Sequence, residues 1–319
     1  MGVPKLNKLL LEKCSQKSIY NIHLETLYGK TVVVDISIYL YRFMSEGNFM
    51  EQVYLFMSLF KYYMIEPIFI FDGKPPAEKN EILKKRRDEK QKATKEYERL
   101  QELLQSTAEE NKEYITIQLN VLKKRMVCVT WTQIDQTIEL INAFGFTYYL
   151  APNEADQLCV YLNHIHYAYA VISDDMDMII YGCSIVIRNI NLIKHEAMLY
   201  DTENIYTELK LTRETLVQIV VLSGTDYKIT SNVMTNNIKR AYNHYINYLD
   251  ESTNDTFYGW LEKKEIIQIS DFSNICDMFH IDKYINELED FHKKNVKPKP
   301  KFNISTIKNI MRTYNFIFV

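Results

Sequence analysis

The sequence predicts an α/β fold, with a mostly parallel central sheet and helices on both of its faces. Three observations carry that expectation. Short runs rich in Val, Ile, Phe and Tyr recur along the chain, each followed by a helix-like segment. These runs are continuously apolar, as strands covered on both faces are. An acid repeatedly closes such a run, at the strand end where open α/β sheets bind their ligands.

The elements follow in order. "KTVVVD" (30–35) leads into the helix-like "ISIYLYRFM", and "EPIFIFD" (66–72) leads into a long charged stretch. That stretch, 74 to 126, is rich in Lys, Arg, Glu and Gln and nearly free of Gly, so it reads as one or two exposed helices projecting from the sheet without a core of their own. "GFTYYL" (145–150) precedes "APNEADQLCVYL", "YAVIS" (169–173) precedes "DDMDMIIYG", and "SIVIR" (184–188) is a further strand. From about residue 203 the pattern is helical, with "KKNVKPKPKF" (293–302) an extended linker before a last helix at 303–314. The chain therefore divides into a first part of the sheet core (1–73), a helical insertion (74–133), a second part of the core (134–222) and a helical C-terminal region (223–319).

Composition narrows the function classes. With 319 residues, 47% hydrophobic and 25% charged, the chain suits a soluble globule with ample core. A net charge of −3 gives no global attraction to nucleic acid, so any basic surface must be local. The five cysteines are scattered and never form CxxC, which fits a reducing compartment and speaks against a disulfide framework or zinc knuckle. No signal peptide or long apolar run is present, so no membrane span is expected. The absence of a Walker loop or GxGxxG implies no nucleotide cofactor. "HIH" (164–166) and the HE of "KHEAM" (194–198) lack partners at metal-site spacing and read as ordinary histidines.

The acids carry the chemistry. Asp174, Asp175 and Asp177 crowd behind one strand, Asp35 and Asp72 close two others, Glu154 and Asp156 follow a fourth, and Asp226 lies in "SGTDY". Two carboxylates roughly 5 Å apart at an effective dielectric near 20 repel by about 3 kcal/mol. Seven of these acids in one pocket (Asp35, Asp72, Glu154, Asp156, Asp175, Asp177 and Asp226) therefore require cations. Oxygen ligands without His or Cys select Mg²⁺, or Mn²⁺ as a substitute, over zinc. Two such ions about 4 Å apart clamp the attacking and leaving oxygens of a phosphoryl displacement, and no His or Ser nucleophile is then needed. Taken singly, each acid is equally well a helix cap or a solvated group, Glu154 and Asp156 especially. The recurrence of acid after apolar strand, four times, is what argues for a site. After Asp72, Lys79, Arg86 and Lys90 fall on one face of a helical wheel, Arg86 and Lys90 each within about 20° of Lys79. They form either a phosphate-holding stripe or one face of a solvated helix shared with Glu78, Glu81, Asp88 and Glu89.

The segments "MGVPKLNKLL", "VVVDISIYLY", "IFIFDGKPPAEKNEILKKRR", "APNEAD", "SDDMDMIIYG" and "VLSGTDY", in this order and spacing, resemble the flap endonuclease (XPG-type) family of structure-specific 5′ nucleases. The likeness runs from Met1 to about Ala241. It implies a PIN-like nuclease core, a helical arch over 74–133 through which a single-stranded 5′ arm passes, and a helix–two-turn–helix in the C-terminal region. It also implies two Mg²⁺ ions on Asp35, Asp72, Glu154, Asp156, Asp175, Asp177 and Asp226, with Asp174 behind them. Lys79 and Arg86 would brace the scissile phosphate as the catalytic cations. Gly2, Tyr41, Lys90, Lys239 and Arg240 would contact DNA, Tyr41 by stacking on a base.

Two departures stand out. The family's glycine hairpin, which binds duplex phosphates and K⁺, is replaced by "KITSNVMTNNIKRAYN", with Thr235 and Asn237 at the glycine positions. Thr tolerates the left-handed region poorly, so a weak response to K⁺ over Na⁺ is expected. No sliding-clamp motif is found in "MRTYNFIFV". A short, clampless, Tyr- and Asn-rich member resembles versions from large DNA viruses such as the poxviruses, which would work in a cytoplasmic replication factory rather than a nucleus. The expected activity is Mg²⁺-dependent flap endonuclease and 5′→3′ exonuclease action on DNA with a 5′ flap or junction, in replication, repair or recombination. The alternatives are a catalytically silent junction-binding scaffold and a 5′→3′ exoribonuclease, whose members also begin "MGVPK".

Overall fold

The computed structural model describes residues 3, 5–74, 80–106, 109–224, 237–251, 254–268, 272–296 and 298–318. Gly2, Lys79, Asp226 and Thr235 lie outside the described residues. In chain order the elements are α1 (Leu6–Lys13), β1 (Ile19–His23), β2 (Thr31–Asp35), α2 (Ile36–Glu46), α3 (Phe49–Tyr62), β3 (Glu66–Phe71), α4 (Asn80–Ser106), α5 (Glu109–Arg125), α6 (Trp131–Ala143), β4 (Thr147–Leu150) and α7 (Ala155–His164). There follow β5 (Ala170–Ile172), α8 (Asp177–Ile180), β6 (Ile185–Asn191), β7 (Glu196–Asp201), α9 (Thr202–Leu209), α10 (Arg213–Ser223), α11 (Ile238–Glu251), α12 (Phe257–Lys263), α13 (Ser273–Cys276), α14 (Ile285–Asn295) and α15 (Ile304–Arg312).

The strands form one sheet in the order β1-β7-β6-β5-β2-β3-β4. The pairs from β6 through β5, β2 and β3 to β4 are parallel, and only β7 with its two neighbours is antiparallel. The parallel sheet expected from the apolar runs is therefore present. The antiparallel edge was not legible: β1 carries exposed Tyr20, Asn21 and His23, and β7 begins inside the His-Glu stretch. The register sorts the side chains by alternation. Val33, Ile68, Ile70 and Val171 join one core with α1, α7, α9 and α10, while Val32, Val34, Phe69, Phe71 and Ile172 join the other with α2, α3, α6 and α15. Both faces being covered explains why the strands read as unbroken apolar runs. The last helix returns to the sheet: Ile307, Ile310 and Met311 are buried in the second core, and Asn303 N–H donates to the Ala143 carbonyl at 2.8 Å.

The charged insertion is an antiparallel pair, α4 of 27 residues and α5 of 17, so α4 extends about 40 Å. The sequence reading left this pair without a core, and the structure corrects it. Leu100, Ile115 and Leu119 are buried together, flanked by Tyr97, Leu104 and Leu122. The period-4 spacing of Leu100 with Leu104, and of Ile115 with Leu119, supplies a narrow apolar seam between two otherwise charged helices. Among the described residues no helix is long and apolar enough to cross a membrane.

The seam makes a prediction. Leu100→Ala should cost on the order of 2–5 kcal/mol locally. It should raise amide exchange across 80–125 while exchange in the sheet strands stays slow. Equal exchange in variant and wild type would show that the pair is not held by its own core.

Candidate active site

Chain order places the site. From β2 the chain moves outward to β3 and β4, then returns past β2 to lay β5 and β6 on its other side, so the winding reverses between β2 and β5. The carboxyl ends of those two strands flank the crevice where open α/β sheets bind ligands. Asp35 ends β2, and Ser173 and Asp175 follow β5. Asp35 continues the alternate row of Val33, which faces α7, the helix whose first turn carries Asp156.

Backbone contacts stitch the other strand ends to this point. Gly73 N–H donates to the Asn153 carbonyl at 2.7 Å, and Ala155 N–H donates to Asp72 Oδ1 at 3.0 Å. Asp72 thus caps α7 from another segment, whereas Glu154, at the N-cap position itself, makes no side-chain cap bond. The approach depends on Gly73, because a Cβ there would lie 1.9 Å from the Ala151 carbonyl oxygen. That close contact, rather than a special dihedral, is the physical reason for glycine in "FDGKPP".

Ser173, which the sequence reading missed, is the hinge of the cluster. Its hydroxyl donates to Asp35 Oδ2 at 2.9 Å and accepts from Asp175 N–H at 3.1 Å. Asp175 Oδ1 in turn accepts from Asp177 N–H at 3.1 Å. The signal for Ser173 lay in its position, the residue across from Asp35 when the β2–β5 register is extended by one. Asp174 is engaged elsewhere. Its carboxylate accepts from Asn189 N–H at 2.7 Å and meets Arg42 at 3.7 Å, with Tyr39 O–H at 3.4 Å. Its carbonyl accepts from the buried Arg188 guanidinium at 2.6 Å. Arg188 and Arg42 are thus the cations that brace the loop from behind, and neither was singled out in the sequence.

Asp35, Asp72, Asp156, Asp175 and Asp177 lie close enough for their charges to act on one another. Burial, then the Asp72 charge, pushes the Asp35 carboxyl up to about 8 against the pull of the Ser173 hydrogen bond, with Asp175 and Asp174 adding to the rise. Asp156 is held well above the usual carboxylate range by burial and then by the charges of Asp35, Asp175, Asp177 and Asp72. Asp35 and Asp175 are buried, Glu154, Asp156 and Asp177 half-buried and Asp72 exposed, so the acids grade from floor to rim. The buried Cys159 beneath them has its thiol pushed far up by burial, and then by Asp35 and Asp156, which keeps it a neutral packing group.

This donor set suits hard divalent cations: it is all carboxylate, and its mutual repulsion is what such charge offsets. Among the described residues no three His, Cys, Asp or Glu side chains already close around one point as ligands do.

The remaining sequence candidates fall around this point. Tyr41 is 46% exposed, and its phenol is pushed up by burial, then by Cys128 and Asp72, which places it between the acids and the base of the α4–α5 pair. Tyr39 is core, stacked on Phe56 at 4.8 Å. Arg86 is exposed in the second turn of α4. Lys90 Nζ donates to the Val127 carbonyl at 3.0 Å, which ties α4 to the segment that follows α5. Lys239 pairs with Glu12 at 2.5 Å, docking α11 on α1, and Arg240 is exposed beside it. His164 Nε2 donates to the Gly182 carbonyl at 3.0 Å, as an ordinary histidine does.

A mostly parallel sheet with acids gathered at its switch point and a helical pair projecting above them is the architecture of the PIN-like nucleases. The chain matches the XPG N-terminal domain over residues 1–93 and the XPG I-region over residues 145–226, together more than half of its length. It is 30% identical over 230 residues to flap endonuclease 1 of Methanococcus aeolicus, covering 66% of each chain. Its fold is similar to that of the catalytic core of Rad2 in complex with DNA substrate (TM-score 0.63, 21% identity, 98% of this chain and 94% of that one). It is also similar to flap endonuclease-1 from Methanococcus jannaschii (TM-score 0.54, 22% identity, 93% and 95%). The chain belongs to the XPG/flap endonuclease family. The matched stretch spans just under two thirds of the length of the Methanococcus aeolicus relative and 61% of flap endonuclease 1 from Mus musculus.

A stability test follows from Asp35. Its carboxyl lies near 8 when folded and near 3.9 in an unfolded chain. Folding therefore favours its protonated form, and that contribution is lost as pH rises toward the folded value. Without divalent ions, the Tm should fall between pH 5 and pH 8.5, and Asp35→Asn should flatten the fall. A wild-type Tm that rises steadily across this window, unaltered in the variant, would contradict the assignment.

Proposed function

We propose that the protein is a divalent-metal-dependent, structure-specific 5′ nuclease that hydrolyses DNA phosphodiesters near the junction of a 5′ single strand with duplex. The observation that carries the reading is the gathering of carboxylates from four strand ends at one switch point, where Asp35 and Asp156 are both forced upward by burial and by their neighbours. Two Mg²⁺ ions, or Mn²⁺ in their place, held by Asp35, Asp72, Glu154, Asp156, Asp175, Asp177 and Asp226 would supply an activated water and neutralise charge on the scissile phosphate.

The chain's own groups have separable tasks. Ser173 holds Asp35 and Asp175 in fixed relation, so the floor of the site is set before any ligand arrives. The Ala155 N–H orients Asp72 at the rim. Arg86, in the second turn of α4, faces the phosphate and together with Lys79 stabilises charge as it develops. Tyr41 offers a half-exposed ring beside Asp72 on which a base next to the cut can stack. The α4–α5 pair serves as the arch for the 5′ arm. Lys239 and Arg240, in the first turn of α11, meet duplex phosphate. Lys239 is drawn onto Glu12, so its phosphate contact competes with an exposed ion pair of small worth. A reducing compartment suits the free cysteines.

The test is cleavage of a labelled 5′-flap duplex. Product should appear with Mg²⁺ and vanish with EDTA. Asp177→Ala should lower cleavage on the order of a hundredfold or more while flap binding persists. No Mg²⁺-dependent product at high protein would favour a silent junction-binding scaffold, and retained cutting by the variant would remove Asp177 from the site.

A further inference from the structure

We propose that Trp131 is a second base-stacking platform, set at the foot of the α4–α5 pair to hold the unpaired 5′ strand after it leaves Tyr41. The inference rests on the nuclease reading for the identity of the strand, but its observations are independent of the acid cluster.

An indole is seldom left in water, since it buries more apolar surface than most side chains and its N–H finds a partner easily. Trp131 is 80% exposed. Its backbone is also pinned. It is the first residue of α6, directly after Thr130, which closes a capping box with Gln133: Gln133 N–H donates to Thr130 Oγ1 at 3.3 Å, and Thr130 N–H donates to Gln133 Oε1 at 2.8 Å. An outward aromatic ring on a pinned stretch of backbone suits stacking on a mobile base, because the chain beneath it need not be ordered on binding.

Its neighbours point to the ligand. Tyr41 and Met44 stand three residues apart on α2, and so on one side of it. Cys128 lies close enough to Tyr41 to act on its phenol, and Gln133 Nε2 meets Met44 Sδ at 3.0 Å. The segment from Cys128 to Gln133 therefore runs along the Tyr41–Met44 side of α2, and Trp131 lies within it. The last turn of α5, a few residues upstream, carries exposed Lys123, Lys124 and Arg125. Exposed aromatic rings beside a run of cations match a single-stranded nucleic acid: the bases stack on the rings and the phosphates follow the charge. An apolar protein partner would not call for the three cations, and duplex DNA would offer no base face to the ring.

The chain reports on this ring directly. It has two tryptophans, and Trp260 is buried with its N–H donating to Glu251 at 2.8 Å. In EDTA, where no cutting occurs, a duplex with a 5′ single-stranded arm should quench tryptophan emission. The same duplex with an abasic arm of equal length should not. Trp131→Phe should lose the quench yet keep the wild-type Kd within about threefold, whereas Trp131→Ala should raise the Kd on the order of tenfold with its thermal midpoint unmoved. Equal quenching by the abasic arm, or wild-type binding by Trp131→Ala, would overturn the proposal. Cleavage of the same substrate by the wild-type protein with Mg²⁺ separates the two readings. Active wild type with normal binding by Trp131→Ala removes this role alone, while base-dependent quenching in a protein that never cuts supports it and removes the nuclease.

Discussion

Carboxylate repulsion at the β2–β5 switch point is the constraint on which the rest of the structure depends. Acids from distant parts of the chain are pressed together on a partly buried sheet edge, where each raises the cost of ionising the others. What holds them is backbone geometry. Parallel register sets Ser173 across from Asp35, and the Gly73 to Asn153 bond draws the ends of β3 and β4 together. Ser173 and the Ala155 N–H fix carboxylates that would otherwise swing apart. The apolar strands below supply the rigidity. Val33, Ile70 and Val171 are fully buried against α7 and cannot yield to electrostatic strain above them.

Cations around the acids are divided between bracing and reaching. Arg188 is buried, bonded to Asn7 and the Asp174 carbonyl, and lies over the Tyr200 ring. Arg42 pairs with Glu46 and Asp174. Both neutralise charge from behind the loop without entering the acid cluster, and so leave its front to a ligand. Lys90 does similar bracing work at the base of the α4–α5 pair, where its bond to the Val127 carbonyl fixes the segment that leads to α6. A lysine on a predicted phosphate stripe thus has an architectural contact as well.

Much of this was legible in the sequence. The parallel strands announced themselves because both faces are covered and their side chains are apolar without interruption. Asp35, Asp72 and Asp174 could be assigned to strand ends because each closes such a run, and Glu154 and Asp156 follow a fourth at the start of a helix. Other features were hidden for physical reasons. The edge strands β1 and β7 carry polar residues and pair antiparallel, so they lack the buried-strand signature. Ser173 is a common residue whose meaning depends on register across the sheet. The α4–α5 seam of Leu100, Ile115 and Leu119 is sparse among charges, and its apolar spacing shows only once two helices are known to face each other. Trp131 was not singled out, because its exposure is set by packing that the sequence does not display.

The most direct test of the central claim is calorimetric titration of the protein with Mn²⁺ near pH 7 in buffers of different ionisation enthalpy. Acids held up by one another must shed protons as the ions bind. The account therefore predicts saturable uptake whose heat varies with the buffer, and loss of both in Asp156→Asn. Uptake with no proton release, or full uptake in the variant, would show that these carboxylates do not form one metal-binding unit.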